Sequence, residues 1–263
     1  MARPEEIYDL LLDYAALDIP VQDLFVGVNW TLCRAGALGL AGTPPLSGVQ
    51  RPWDGILTGR TIAELAPWLR KWDRLQAAVG MAAVNAALNA EADMVYEHGT
   101  LVKGRNAMQM VFESFLPKLR GQRVAVVGTI PGVEGCKGAK VFNHLPYHGE
   151  GIDPACEYLL PQADWVFLTD DCIPRKSFPR LVELAEGARV VLLGPSVPWL
   201  DELAEFGVDY IAGAQIDQPE LIQCVVAEGG GTAGLDASLC YRIAPLARTA
   251  PAITPHVPLV AVR

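Results

Sequence analysis

Three short apolar runs dominate the pattern of hydrophobic and polar positions in the second half of the chain. They cover residues 124–127 (Val-Ala-Val-Val), 165–168 (Trp-Val-Phe-Leu) and 190–193 (Val-Val-Leu-Leu), and each stops at small or polar residues. Strands that are apolar on both faces belong to parallel sheets covered by helices on each side. The pattern therefore predicts a doubly wound, mostly parallel α/β sheet. Such sheets bind ligands at the carboxyl ends of their strands, where the polar residues fall here.

The first hundred residues follow a different pattern. Apolar spacing predicts an amphipathic helix over residues 4–18 and two adjacent strands over 21–28 and 29–34. A glycine-rich turn over 36–42 and an alanine-rich helix over 73–90 are predicted to follow. This order predicts a smaller α+β domain, in which a small antiparallel sheet has helices packed on one side.

The two patterns meet at a break over residues 97–105, after which a further helix is predicted from 106 to 119. We therefore expect an α+β domain over residues 1–104 and the α/β domain over residues 105–263. The last fifteen residues contain several prolines, which predicts an extended tail.

Composition and charge narrow the classes of partner. The net charge is −9 over 263 residues and no Lys/Arg cluster is present, which argues against nucleic acid. No apolar run approaches the roughly 20 residues that span a bilayer, so no membrane partner is expected. The first residues lack a secretory signal and the six cysteines form no C-x-x-C pair, which predicts a cytoplasmic protein with free thiols. Its alanine-rich helices are compatible with a homo-oligomer.

The turn after the first apolar run contains Gly128, Thr129 and Pro131. Glycine lets backbone N–H groups approach an anionic ligand, so this turn is a candidate ligand-binding loop. Neither the G-x-G-x-x-G fingerprint nor a P-loop is present. A tight turn that only ends a strand is therefore an equal alternative.

Thr169, Asp170, Asp171 and Cys172 follow the second apolar run. Two adjacent carboxylates and a thiol are costly neighbours unless they are solvated, cap a helix or bind a cation. We expect one carboxylate to cap the helix that follows and the other to face the ligand site.

Gly194, Pro195 and Ser196 end the third apolar run and are candidate ligand-binding residues at the same edge of the sheet. Ser196 either begins the next helix or offers its hydroxyl to a ligand. No G-x-S-x-G motif surrounds it, which argues against a serine hydrolase.

His144 and His148 place two imidazoles four residues apart. On a helix this spacing would direct both rings at one metal ion, but Pro146 between them favours a loop with solvent-facing histidines. Together with the residues after the second strand, they make a candidate set of ligands for a divalent transition metal ion, consisting of Asp170, Asp171, Cys172, His144 and His148.

Several of these segments together resemble a prokaryotic family of unknown function that is described as binding heavy metals by chelation. The similar segments are residues 124–131, 159–166, 169–177, 194–198 and 206–213, and residues 26–31 and 39–41 resemble the domain that usually precedes them. The resemblance covers most of residues 5–235. It implies a Rossmann-like second domain, a first domain of enolase N-terminal-like fold, and a cleft between the two.

The resemblance also implies a function. It favours a protein that binds a heavy-metal ion, or a small molecule that carries one, in the cleft. Thr129 and Ile130 stand where many relatives have His-Phe, and Asp170, Asp171 and Cys172 replace a Gly/Thr-rich turn. An enzyme of small-molecule metabolism that uses the same cleft for a nucleotide-like or anionic substrate, with Asp170 or Asp171 as general base, is the main alternative, and a scaffold protein is a third.

Overall fold

The chain folds around two β-sheets. The computed structural model describes residues 2–45, 52–90, 99–104, 106–142 and 153–247. We call the described residues up to 90 the small lobe and those from 99 onward the large lobe. The small lobe contains α1 (Ile7–Tyr14), β1 (Asp23–Val26), β2 (Trp30–Ala35), β3 (Ala37–Gly42), α2 (Ile62–Leu65) and α3 (Arg74–Asn89).

The large lobe carries seven strands and six α-helices in its described residues. Its strands are β4 (Thr100–Val102), β5 (Val124–Val127), β6 (Lys140–Phe142), β7 (Trp165–Thr169), β8 (Arg189–Gly194), β9 (Tyr210–Ile216) and β10 (Leu239–Pro245). Its helices are α4 (Ala107–Glu113), α5 (Leu116–Leu119), α6 (Cys156–Leu159), α7 (Phe178–Leu184), α8 (Pro219–Ala227) and α9 (Thr232–Leu235). The helix predicted over residues 106–119 is thus two helices, α4 and α5.

The strands of the large lobe form one sheet in the order β4-β10-β9-β8-β7-β5-β6. Strands β6, β5, β7, β8 and β9 run parallel, and β10 and β4 add antiparallel pairings at one edge. The predicted doubly wound, mostly parallel sheet is therefore confirmed. After β5 the chain turns to one side of the sheet, towards β6, and after β7 to the other, towards β8. This reversal makes a switch point between β5 and β7, where open α/β sheets hold their ligands.

The small lobe contains a three-stranded antiparallel sheet in the order β1-β2-β3, which confirms the predicted α+β arrangement. The glycine-rich turn that we expected over residues 36–42 is wrong beyond Gly36, because residues 37–42 form β3. Gly39 is a contact residue: a β-carbon there would lie 2.1 Å from the backbone oxygen of Ala82 and the backbone nitrogen of Ala86 in α3. Strand and helix therefore approach more closely than any larger residue would permit.

The alanine-rich helix predicted over residues 73–90 is confirmed as α3. It starts where the Asp73 side chain accepts a hydrogen bond from the backbone N–H of Gln76 at 2.8 Å, an N-cap of the usual kind. Almost every residue from Leu75 to Leu88 is buried. Small side chains allow such a helix to sit between neighbouring layers at close range.

Two buried hydrophobic clusters hold the lobes together, one on each side of the large sheet. One contains Ile7 and Met81 of the small lobe together with Leu168 of β7. The other contains Leu40 of β3 together with Phe167 of β7. Because each cluster takes residues from both lobes, the lobes share their hydrophobic core.

The domain boundary stays a prediction. Residues 97, 98 and 105 lie outside the described part of the chain. Strand β4 comes before the predicted boundary, yet it pairs with β10 in the large sheet.

All six cysteines are free, as predicted. Among the described helices, none is both long enough and apolar enough to cross a membrane.

A hydrogen bond across the lobe interface allows a first prediction. The Tyr8 hydroxyl of α1 donates to the backbone oxygen of Ile173 at 2.9 Å, and both residues are buried. We expect Tyr8→Phe to lower the free energy of unfolding by about 1 kcal/mol, because the ring still packs while the carbonyl loses its donor. Urea denaturation measures the change. Tyr158→Phe is the control, since Tyr158 is 74% exposed; equal changes in the two variants would contradict a role for the interlobe bond.

Candidate functional site

A cavity of about 320 Å³ lies between the lobes, at the carboxyl ends of β5, β7 and β8. The small lobe lines it with Trp30, Gly42, Thr43, Pro44, Arg74 and Ala78. The large lobe lines it with the turns after these strands and with α4 and α9, through Met108, Thr129, Pro131, Thr169, Asp170, Asp171, Pro174, Arg175, Pro195 and Thr232.

The position of this cavity matches the switch point of the large sheet. Thr129 follows β5, and Thr169 to Asp171 follow or end β7. The volume falls at the lower end of the roughly 300–1,000 Å³ that ligand pockets occupy, which fits a small molecule. Walls come from both lobes, so a ligand there would contact both.

Asp170 is the buried acid of the cavity. It begins a short 3₁₀ turn after β7, and its Oδ2 accepts hydrogen bonds from the backbone N–H and the hydroxyl of Ser196, both at 2.6 Å. Burial raises the pKa of the Asp170 carboxyl from 3.8 to about 6, although the hydrogen bonds from Ser196 oppose the shift. A carboxyl group of this kind exchanges a proton close to neutral pH.

Asp171 has a different environment. Its carboxylate accepts a hydrogen bond from the Thr169 hydroxyl at 2.5 Å and forms an ion pair with Arg175, whose Nε lies 2.7 Å away. The expectation that Asp170 or Asp171 caps the following helix is wrong, because α7 begins only at Phe178, with Ser177 at its N-cap position. Asp171 instead holds Arg175 at the wall of the cavity.

Cys172 does not share the cavity with the two carboxylates. It is fully buried and belongs to the hydrophobic cluster that contains Ile7. Burial also raises the pKa of the Cys172 thiol, which keeps it neutral. In a 3₁₀ turn, with three residues per turn, successive side chains point in three different directions. The turn therefore directs the Cys172 side chain into the core.

Gly128 and Gly194 make room for side chains of the site. A β-carbon on Gly128 would lie 2.0 Å from Oγ1 of Thr169, and one on Gly194 would lie 2.2 Å from Cγ of Asp170. The N–H of Gly128 donates to the backbone oxygen of Phe142 at 2.8 Å. The expected role of the Gly128 N–H in holding an anion therefore does not fit this structure, and neither glycine lines the cavity.

Ser196 links the site to the small lobe, and it lies behind the cavity wall. It is 3% exposed, and its neighbour Pro195 lines the cavity. Its backbone oxygen accepts a hydrogen bond at 2.9 Å from Nδ2 of Asn85, which also donates to the backbone oxygen of Leu40 at 2.8 Å. A buried chain of hydrogen bonds thus joins β3, α3 and Asp170.

Two arginines of the cavity were missed by the sequence analysis. Arg175 lies four residues after Asp171, and this spacing is a recognisable signal for an ion pair. Arg74 is the first residue of α3, and Ala78 one turn later also lines the cavity. No sequence signal marks Arg74, because its position depends on how the lobes pack.

The histidine pair cannot be placed in this site. His144 and His148 lie outside the described residues, as do the chain's other two histidines, at positions 98 and 256. Within the described part of the chain, no three His, Cys, Asp or Glu side chains form a group that could hold a metal ion.

Two family models match the chain. A model named DUF364 and described as "Putative heavy-metal chelation" matches residues 110–245. A second model, DUF4213, carries the same description and matches residues 8–88. The cavity takes residues from both matched segments. No curated protein matches the chain.

Two solved structures share the fold. A DUF364-family protein of unknown function from Desulfitobacterium hafniense DCB-2 is 25% identical, with a TM-score of 0.72 over 92% of this chain and 98% of that one. A DUF364-family protein of unknown function from Pyrococcus horikoshii is 19% identical, with a TM-score of 0.69 over 93% of this chain and 100% of that one. At 19% identity, the similarity to the Pyrococcus horikoshii protein shows a shared fold only.

Proposed function

This chain belongs to the DUF364 family, whose description names heavy-metal chelation, and on that basis we propose that its interlobe cavity binds a small molecule that carries a metal ion. The proposed contacts are the cavity-lining residues that follow the strands, namely Thr129, Thr169, Asp170, Asp171 and Pro195.

The observation that carries the proposal is the placement of the cavity. It lies at the switch point of the sheet, it is large enough for a small molecule, and it presents both a buried acid and arginines. Structural cavities in a well-packed core are usually small and apolar. A cavity with ionised groups on its walls is better suited to a polar ligand than to simple packing.

The described residues favour a metal that arrives already bound to an organic molecule. Asp171 is engaged by Thr169 and Arg175, and Oδ2 of Asp170 is engaged by Ser196. A bare transition metal ion usually needs three or more protein ligands, which the described part of the chain does not bring together. His144 and His148 stay predicted ligands.

A thermal-shift panel tests this function. Untagged protein would be heated with Ni²⁺, Co²⁺, Cu²⁺ or Zn²⁺ alone, with citrate or a nucleotide alone, and with each metal and citrate together. We expect stabilisation by organic molecules or their metal complexes. We expect Thr129→Trp to weaken the affinity for the stabilising ligand at least about tenfold, since an indole at this exposed, cavity-lining position would take up space in the cavity.

Thr58→Trp is the matched control, because Thr58 is exposed and does not line the cavity. Stabilisation by a metal ion alone that survives Thr129→Trp would contradict the proposal. So would a ligand that binds Thr129→Trp and wild-type protein equally well.

The acid–base behaviour of Asp170 favours a second candidate, an enzyme that acts on a small molecule in the same cavity. A general base works best when its pKa lies near the working pH, and the pKa of Asp170 is about 6. Asp171 is less suited to this role because Arg175 stabilises its charged form. An enzyme would turn over its bound ligand, and Asp170→Asn would abolish turnover while binding persists.

A further inference from the structure

The polar groups of the cavity divide into those with protein partners and those without. Thr43 shares a hydrogen bond with Thr31 at 2.9 Å, the side chains of Thr169 and Arg175 both bond to the Asp171 carboxylate, and Asp170 accepts from Ser196. Among the described residues, no partner is found for the other polar groups, which are the side chains of Arg74, Thr129 and Thr232 and the buried indole Nε1 of Trp30. All four can donate hydrogen bonds, and the arginine and the indole can only donate.

Arg74 is held in place by its helix. The Asp73 side chain caps α3 and fixes the first turn, and Ala78, four residues after Arg74, lines the same cavity. Residues four apart lie on one face of a helix, so this face of α3 forms the cavity wall. Arg74 is partly buried, which makes its charge more effective than it would be on an open surface.

Among the described residues, the ion pairs around the cavity do not include Arg74. Asp171 and Arg175 neutralise each other at 2.7 Å. Asp170 is turned towards Ser196, from which it accepts two hydrogen bonds. Within the part of the chain that the structure describes, Arg74 forms no ion pair with either carboxylate. A guanidinium left free in a cavity is a typical binding group for a carboxylate or a phosphate.

We infer that the ligand is an organic oxyanion, a carboxylate or a phosphate, whose charge is held by Arg74 and whose remaining acceptors face Thr129 and Thr232. This inference rests on the proposed function of the cavity and names the class of ligand. A metal-bearing ligand would accordingly enter as an anionic chelate, with the metal held by the small molecule.

Isothermal titration with three oxyanions tests the inference. The probes are citrate, inorganic phosphate and pyrophosphate, each titrated into wild-type protein and into Arg74→Gln. We expect at least one to bind, and Arg74→Gln to weaken that binding about tenfold or more, because the charge and the paired donors are both lost. Arg74→Lys should recover part of the affinity, since it keeps the charge and loses the planar fork.

Arg120→Gln is the matched control, because Arg120 is exposed and does not line the cavity. It removes the same charge and should leave the affinity unchanged. Equal affinities of wild type and Arg74→Gln would overturn the inference, and a circular dichroism spectrum of each variant shows that it is folded. Binding of the wild type should also weaken as salt is added.

The same experiments separate this inference from the proposed function. If only neutral or cationic molecules bind, and Thr129→Trp blocks them, the cavity is a ligand site and the oxyanion inference is wrong. If no binding responds to Thr129→Trp, both are wrong.

Discussion

Replacing Asn85 with leucine is expected to lower the free energy of unfolding by about 4 kcal/mol. Asn85 is 4% exposed, and its Nδ2 donates to the backbone oxygens of Leu40 and Ser196, at 2.8 and 2.9 Å. Leucine has a similar shape and offers no donor. Each buried carbonyl that loses its partner costs about 1–3 kcal/mol, and two are affected here. Guanidinium denaturation of the two proteins measures the difference.

Asn89→Leu is the matched control for this variant. Asn89 lies one turn later in α3 and donates to the backbone oxygen of Leu38 at 2.7 Å, within the small lobe. We expect a smaller loss there, because Asn89 is less buried than Asn85. If Asn85→Leu costs no more than Asn89→Leu, the bridge between the lobes does not stabilise the protein.

Asp170→Asn is expected to remove a dependence of stability on pH. The pKa of Asp170 rises from 3.8 to about 6 on folding because the carboxyl is buried. Between these values the folded protein holds a proton that the unfolded chain has released. The contribution of Asp170 to stability is therefore complete below about pH 4 and is lost as the pH rises through 6. The loss is about 3 kcal/mol.

Asparagine stays neutral and keeps an oxygen that can accept from Ser196. The stability of Asp170→Asn relative to wild type should therefore increase by about 2 kcal/mol between pH 4 and pH 7, which is most of the full loss. Denaturation curves at each pH unit measure this difference. Asp164→Asn is the control: Arg123 lowers the pKa of Asp164 to about 2, so this carboxyl is largely ionised in both folded and unfolded protein above pH 4, and its difference from wild type should change little across the range. A constant difference between Asp170→Asn and wild type would show that Asp170 stays ionised in the folded protein across this range.

Much of the architecture could be predicted because the strands of a covered parallel sheet must be apolar on both faces. The runs at residues 124–127, 165–168 and 190–193 became β5, β7 and β8. The residues that end such strands necessarily reach one edge of the sheet. Thr129, Thr169, Asp170, Asp171 and Pro195 all line the cavity there for that reason.

The remaining features depend on contacts between elements that are distant in sequence. In the sequence Gly39 has the character of a turn residue, whereas in the structure it lies in β3 and allows α3 to pack closely against that strand. Cys172 is one residue from Asp171, yet the 3₁₀ turn directs it into the core. Arg74 belongs to the site only because the first turn of α3 faces the end of β7. Spacing along the chain contains none of this information.

The core shared by the two lobes has a consequence for the kinetics of ligand capture. Pulling the lobes apart would expose apolar side chains such as Leu40 and Met81 to water, so a wide hinge-opening motion is costly. The cavity walls therefore lose little conformational entropy when a ligand arrives. Association should proceed as a single bimolecular step, with an observed rate that rises linearly with ligand concentration and shows no plateau from a slow rearrangement.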